Sequence, residues 1–367
     1  MRIAIVLNTS WNIYNFRKGL VEALIRNGHE VITIAPNDRY SSKLTRLGCK
    51  HHHVRMDSRG VNPIKDFLLT AELFFKYRKI KPDVILHYTI KPNIYGTIAA
   101  SLLKIPVINN VCGLGTVFLD KNFASFIAIK LYRFAFRFPK RIFFQNNDDL
   151  TLFRRKKIVD EKVCDVVPGS GIDLEKFKPR KNENNQKFTF LLISRLIYDK
   201  GIVEYIDAIK KLKEEGVDAN FQILGAIDEK HRRGIPKEII DKWINDGMIE
   251  YLGTTGDVRK AISHSDCVVL PSYREGTPKT LLEAASMAKP LIATNVPGCN
   301  NVVKHNFNGF LCKLKDGQDL AIQMEKVLNL SKVEIDQLGK NSRKNVEDNF
   351  DEKIVINTYL QSINNLK

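Results

Sequence analysis

Short apolar runs rich in isoleucine and valine alternate with helical stretches along the whole chain. In the first half the runs are Ile3–Leu7, Val31–Ala35, Val84–His87, Val107–Asn110 and Arg141–Gln145. In the second they are Phe188–Ser194, Phe221–Leu224, Ile249–Leu252, Cys267–Leu270 and Leu291–Thr294. Runs that are apolar on both faces and separated by helices predict parallel strands covered on both sides. The series restarts after Val163–Gly171, and the polar stretch KPRKNENNQK (178–187) follows. The pattern predicts an α/β protein of two doubly wound domains, residues 1–172 and 173–367, with a hinge and linker over 169–187. The last helix is expected to return to the first domain. Sheets of this kind bind ligands at the carboxyl ends of their strands, so a site is expected where the two domains face each other.

The length, 367 residues, suits two domains with a core each. No apolar run reaches the roughly 18–20 residues of a spanning helix. The opening Met1–Leu7 is too short for a signal peptide and reads as a first buried strand. These features predict a cytoplasmic protein, or one resting on a membrane surface. Six cysteines are scattered with no CxxC pair, so no disulfide framework is expected. His51, His52 and His53 do not read as a metal site, because consecutive strand residues alternate faces.

Charge changes the picture more. The formal net charge is +17, and it is uneven: residues 1–180 hold 31 basic and 15 acidic side chains, residues 181–367 hold 27 and 26. Such asymmetry points to an anionic partner. The segment Phe123–Phe138 mixes aromatics with Lys130, Arg133 and Arg137, which fall on one helical face. That is the composition of a helix lying in a lipid headgroup region, and equally of a domain helix packed on a sheet. A second such stretch, Phe67–Lys79, is basic at its carboxyl end. Motifs for nucleic-acid binding are not found, which makes an anionic membrane surface the better partner.

The chain has no complete GxGxxG fingerprint, no Walker lysine, no GxSxG elbow and no Asp-x-Asp pair for Mg²⁺. The informative stretch is PSYREGTPKTLLE (271–283), which follows the run Cys267–Leu270. Thr277 is a good N-cap and Pro278 suits the first helical position, so a helix is expected to open there. Its free amides, with Gly276 allowing close approach, form an anion-binding end. Glu275 precedes that end and Glu283 follows it, so one carboxylate meets the reacting part of a ligand and the other reaches hydroxyls further along. Upstream, Arg195 and Lys200 close another run. A guanidinium that forks two phosphate oxygens and a second point charge can stabilise a departing diphosphate without a metal. This arrangement fits a nucleotide sugar.

Glu275-x7-Glu283, with Arg195 and Lys200 upstream, resembles the retaining glycosyltransferases of family 4, which have the two-domain GT-B fold. In the first half, WNIYNFR (11–17), TIKPNIYG (89–96), Gly113-Leu114-Gly115 and Phe144-Gln145-Asn146 resemble its branch that builds capsule, O-antigen and N-glycan units on undecaprenyl diphosphate. That branch includes N-acetylgalactosaminyltransferases. The resemblance spans essentially the whole chain.

It implies catalytic roles for Glu275, Arg195 and Lys200. Glu275 would contact hydroxyls of the donor sugar, while Arg195 and Lys200 hold the β-phosphate. Glu283 would hold the nucleotide ribose, with Gly276, Thr277 and Pro278 at the donor phosphates. Where many relatives carry a histidine this chain reads Val111-Cys112-Gly113, and Thr9-Ser10-Trp11 replaces a Gly-Gly. The identity of a catalytic base is thereby left open. A front-face route, in which the leaving phosphate oxygen takes the acceptor's proton, needs none.

Asn15, Arg17, Lys91, Gly113 and Gly115 are acceptor-side candidates. The expected activity is transfer of a sugar, an N-acetylhexosamine by preference, from a UDP-sugar to a polyprenyl-diphosphate-linked saccharide at the cytoplasmic face of the inner membrane. No metal or other cofactor is expected. Two alternatives stay open, a UDP-N-acetylhexosamine 2-epimerase on the same fold and a basic nucleic-acid-binding protein.

Overall fold

The computed structural model describes residues 1–57, 62–113, 123–180 and 187–366. The chain forms two compact units, Met1–Ser170 with Glu352–Lys367 and Gly171–Asp351. In the first unit seven parallel strands form one sheet: β1 (Arg2–Val6), β2 (Glu30–Ala35), β3 (Lys50–His53), β4 (Val84–Tyr88), β5 (Val107–Val111), β6 (Arg141–Phe144) and β7 (Cys164–Val166), in the order β3-β2-β1-β4-β5-β6-β7. The second unit carries β8 (Thr189–Ile193), β9 (Asn220–Leu224), β10 (Glu250–Tyr251), β11 (Cys267–Leu270), β12 (Leu291–Thr294) and β13 (Gly309–Cys312), in the order β10-β9-β8-β11-β12-β13. Both sheets therefore reverse direction of winding once, between β1 and β4 and between β8 and β11.

All ten apolar runs are strands, and alternation assigns their side chains to opposite faces. In β1, Ile3 and Ile5 join the core under the helix Ser10–Arg26, while Ala4 and Val6 join the core on the other face. In β8, Phe190 and Leu192 face one helical layer, Leu191 and Ile193 the other. Burial on both faces is what an all-parallel sheet requires. Three further strands, β3, β7 and β13, complete the sheets, and each lies at an edge. β3 is the histidine run itself. His51 takes hydrogen bonds with Thr33 (3.0 Å) and Asn37 (3.0 Å), and His53 accepts from the Asn37 amide (3.1 Å).

The last helix, Glu352–Asn364, belongs to the first unit. Its Val355, Tyr359 and Ile363 pack into the same core as Ile3, Tyr88 and Phe143. Asn110 of β5 donates to the Tyr359 hydroxyl (2.9 Å). The candidate interfacial segment forms the helix Phe123–Ala135. Tyr132, Ala135 and the following Phe136 are buried against Phe144 and Phe153, so one side is an ordinary domain helix. Phe126, Ile127 and Phe134 remain exposed on it, as does Phe138 just past its end. The other stretch is the helix Pro63–Ile80, capped by Asn62, whose side chain accepts from the amides of Ile64 and Lys65. Among the described residues no helix is long and apolar enough to cross a membrane.

Candidate active site

In the second unit the segments leaving β8 and β11 at the winding reversal are stitched together. The Asp199 carbonyl accepts from the Tyr273 amide (2.9 Å) and the Ser272 hydroxyl (3.2 Å). Gly201 adopts φ +71°, and a Cβ on it would stand 2.0 Å from the Pro271 carbonyl oxygen. Only glycine permits that approach without backbone movement. The result is that Lys200 donates to Glu275 Oε1, both side chains being largely buried. A third loop, after β12, lies under them: the Glu275 amide donates to the Pro297 carbonyl (3.2 Å), and a Cβ on Gly298 (φ +87°) would meet the carbonyl oxygens of Glu275 and Gly276 at 2.5 and 2.6 Å.

The helix following Glu275 is Lys279–Ser286, with Pro278 at its N-cap. The expected start at Thr277 and Pro278 is therefore corrected by one position. Pro278 has φ −71° and ψ 108°, and an extended ψ keeps it outside the helix. Gly276 and Thr277 stay in the approach to that helix end. Glu283 sits inside the helix and is buried. Burial pushes its carboxyl up to about 7, against the opposing pull of Lys279 and Lys176. Arg195 is half exposed and its Nη1 lies 3.5 Å from Asp228 Oδ2, across the loop leaving β9.

The sequence reading missed the groups that hold this cluster. Arg233 pairs with Asp199 (2.5 Å), and the Tyr273 hydroxyl donates to Glu204 (2.7 Å). The only sequence signal for Arg233 is position, since residues 225–236 follow strand β9 and carry dense charge; Glu204, in the helix Ile202–Glu214, has none.

In the first unit the described acceptor-side candidates lie in the segments that follow β1, β4 and β5. Thr9 caps the helix Ser10–Arg26 by accepting from the Asn12 amide (3.1 Å), and Asn15 Nδ2 donates to the Trp11 carbonyl (2.9 Å). Arg17 is buried, with its guanidinium 4.5 Å above the Tyr88 ring centre. Lys91 pairs with the buried Asp66 (2.7 Å), which also accepts from the Tyr95 hydroxyl (3.0 Å). Gly113 has φ +98°. Gly115 lies outside the described residues.

Comparison with known proteins gives this geometry its context. Residues 173–345 match the family described as glycosyl transferases group 1, and residues 2–146 match the glycosyl transferase 4-like family. The chain is 29% identical, over 98% of both chains, to the N,N'-diacetylbacillosaminyl-diphospho-undecaprenol alpha-1,3-N-acetylgalactosaminyltransferase of Campylobacter jejuni. It is 28% identical to the UDP-Gal:alpha-D-GlcNAc-diphosphoundecaprenol alpha-1,3-galactosyltransferase of Escherichia coli, over 80% of this chain and 78% of that one. In fold it is similar to a Rickettsia africae glycosyltransferase (TM-score 0.79, 19% identity, 100% and 98% of the chains covered). It is equally similar to Anabaena HepE in complex with UDP and glucose (TM-score 0.79, 17% identity, 99% of each chain). These matches favour transfer over the epimerase and nucleic-acid alternatives. The chain is a glycosyltransferase of GT-B fold, its first half a glycosyl transferase 4-like domain and its second half a group 1 glycosyl transferase domain.

Proposed function

We propose that this enzyme moves an N-acetylhexosamine, with retained anomeric configuration and without a metal, from a UDP-sugar to a polyprenyl-diphosphate-linked saccharide in bacterial surface polysaccharide or glycan assembly. The observation that carries the reading is the Lys200–Glu275 contact at the β8/β11 reversal, beside the amino end of Lys279–Ser286. Strand-end loops with a cation and helix amides suit a diphosphate, and an adjacent carboxylate suits sugar hydroxyls. The Campylobacter and Escherichia relatives, named for transfer to diphospho-undecaprenol sugars, support the acceptor class.

In the reaction so proposed, Lys200 and Arg195 neutralise the diphosphate as its bond to the anomeric carbon breaks. Glu275 fixes the sugar through its hydroxyls, and Glu283 holds the ribose. The acceptor hydroxyl attacks on the face the diphosphate leaves, and the departing phosphate oxygen takes its proton. No protein base is required.

The reading extends to location: a peripheral protein on the cytoplasmic face of the inner membrane, attracted to anionic lipid. The cationic first half and the exposed Ile64, Phe67, Leu68 and Phe75 of the helix Pro63–Ile80 support it.

The test is a panel of radiolabelled nucleotide sugars with short-chain polyprenyl-diphosphate saccharides, run in EDTA. Label is expected to pass from a UDP-N-acetylhexosamine to the lipid. Lys200→Ala and Glu275→Ala are expected to lose turnover by about 10²–10³, the scale of one lost preorganised group, while the fold survives. Label returned as the 2-epimer without any acceptor would overturn transfer. Strict dependence on Mg²⁺ would overturn the metal-free route, and near-normal rates in both variants would remove the site.

A further inference from the structure

The first unit buries a cation without burying an anion for it. Arg17 is 5% exposed, yet among the described residues no carboxylate pairs with it. Its Nη1 donates to the Phe16 carbonyl at 3.4 Å and its Nη2 to Cys112 Sγ at 3.6 Å, while Nε donates to nothing. The guanidinium lies on Tyr88, the last residue of β4. A guanidinium stripped of water and left unpaired is expensive, and a fold keeps one where a ligand completes it.

The surroundings carry two independent marks of a ligand site. Thr89, next in the chain, is held at φ +65°. Positive φ in a β-branched residue is a true backbone outlier, of the kind that clusters at binding sites. It is followed at once by a π-helical turn, Pro92–Gly96. Val6 and His87 are the last paired residues of β1 and β4; Asn8 and Thr89 each follow two positions on, and the buried Oδ1 of Asn8 also has no partner. All of this lies at the carboxyl ends of β1 and β4, where the winding reverses and such sheets take ligands.

We propose that Arg17, stacked on Tyr88 beside Asn8 and the strained Thr89, is a preformed phosphate site that takes the diphosphate of the acceptor, with Asn8 receiving a sugar hydroxyl. Arg17 thereby sets the acceptor's preference for a diphosphate linkage. The assignment of the phosphate to the acceptor rests on the proposed transfer reaction; the anion site itself does not. Cys112 supplies the test, because its sulfur touches the guanidinium. An aspartate there provides the missing anion internally and fills the site, whereas a serine leaves it open.

The full-length wild type, Cys112→Ser, Cys112→Asp and Arg17→Lys proteins are compared with UDP saturating, so that the second unit's diphosphate site is occupied. Thermal shift is read against inorganic pyrophosphate, and initial rates against a short-chain polyprenyl-diphosphate saccharide. Wild type and Cys112→Ser are expected to gain the same thermal shift from pyrophosphate. Cys112→Asp and Arg17→Lys are expected to lose it, with the acceptor KM raised at least about tenfold and UDP affinity within about twofold. A Cys112→Asp protein that keeps both the shift and the acceptor KM overturns the proposal. Weakened UDP binding in these variants instead gives the phosphate to the donor and overturns the acceptor assignment. A wild type that transfers nothing, yet shows the Arg17-dependent shift, refutes the transfer reaction and leaves the anion site standing.

Discussion

A carboxyl group sealed from water in the middle of a functional helix leaves a signature in stability. Glu283 is pushed up to about 7 by burial, above the ordinary 4.5 of a glutamate. Between those values the folded protein holds a proton that the unfolded chain releases, so stability falls as pH rises through this window. The loss is complete above about 7 and amounts to at most about 3 kcal/mol, from the shift itself. Glu283→Gln does not titrate. Its melting temperature minus that of the wild type, without ligand, is therefore expected to grow between pH 5 and pH 8. A difference flat across that range would show that Glu283 ionises normally. Added UDP is expected to narrow the gap, because ribose hydroxyls give the ionised carboxylate partners it otherwise lacks.

At the level of elements, the site is a matter of three loops held in register, and glycines set that register. Gly298 sits at φ +87° with its α-carbon pressed under the carbonyls of Glu275 and Gly276. Gly298→Ala must displace that backbone, so it is expected to cost about 1–3 kcal/mol of stability and to cut turnover more than it raises the acceptor KM. Unchanged turnover in a folded Gly298→Ala protein would show that the third loop does not position Glu275. Nothing in the apolar pattern announced this contact, because a glycine's neighbours are set by tertiary packing. The central strands were legible for the opposite reason: Val268, Val269 and their neighbours are buried on both faces and must be apolar. β3 (KHHH) and β7 (CDV) are polar or part-exposed and so were invisible as apolar runs, while β13 (GFLC) is apolar but only four residues long and opens on a glycine. That Lys200 and Glu275 lie at neighbouring strand ends was legible from the sequence. Arg233 and Glu204, which steady the same loops, were not, since charges in a loop or on a helix read as surface.

At the scale of the whole chain, the charge asymmetry and the exposed apolar faces belong to the same unit. The excess of cations falls in residues 1–180, and the helix Pro63–Ile80 shows Phe67 and Leu68 at 72% and 59% exposure. Each cation near an anionic bilayer is worth about 1 kcal/mol, and each buried large apolar side chain about 1.5–3 kcal/mol. The electrostatic part is screened over about 10 Å at 0.1 M salt, while the apolar part is not. The two contributions can therefore be separated by salt and by mutation. The protein is expected to float with vesicles containing about a third anionic lipid and to stay down with neutral ones. Raising the salt to about 0.5 M is expected to weaken binding without abolishing it. A double variant, Phe67→Ser with Leu68→Ser, is expected to lose at least about tenfold in vesicle affinity and to become fully releasable by salt, with its melting temperature unchanged because both side chains face solvent. Equal binding to neutral vesicles, or a double variant that floats like the wild type, would locate any membrane contact elsewhere. Loss of vesicle binding should also raise the KM only for long-chain acceptors embedded in a bilayer, since a short-chain acceptor in solution never requires the surface.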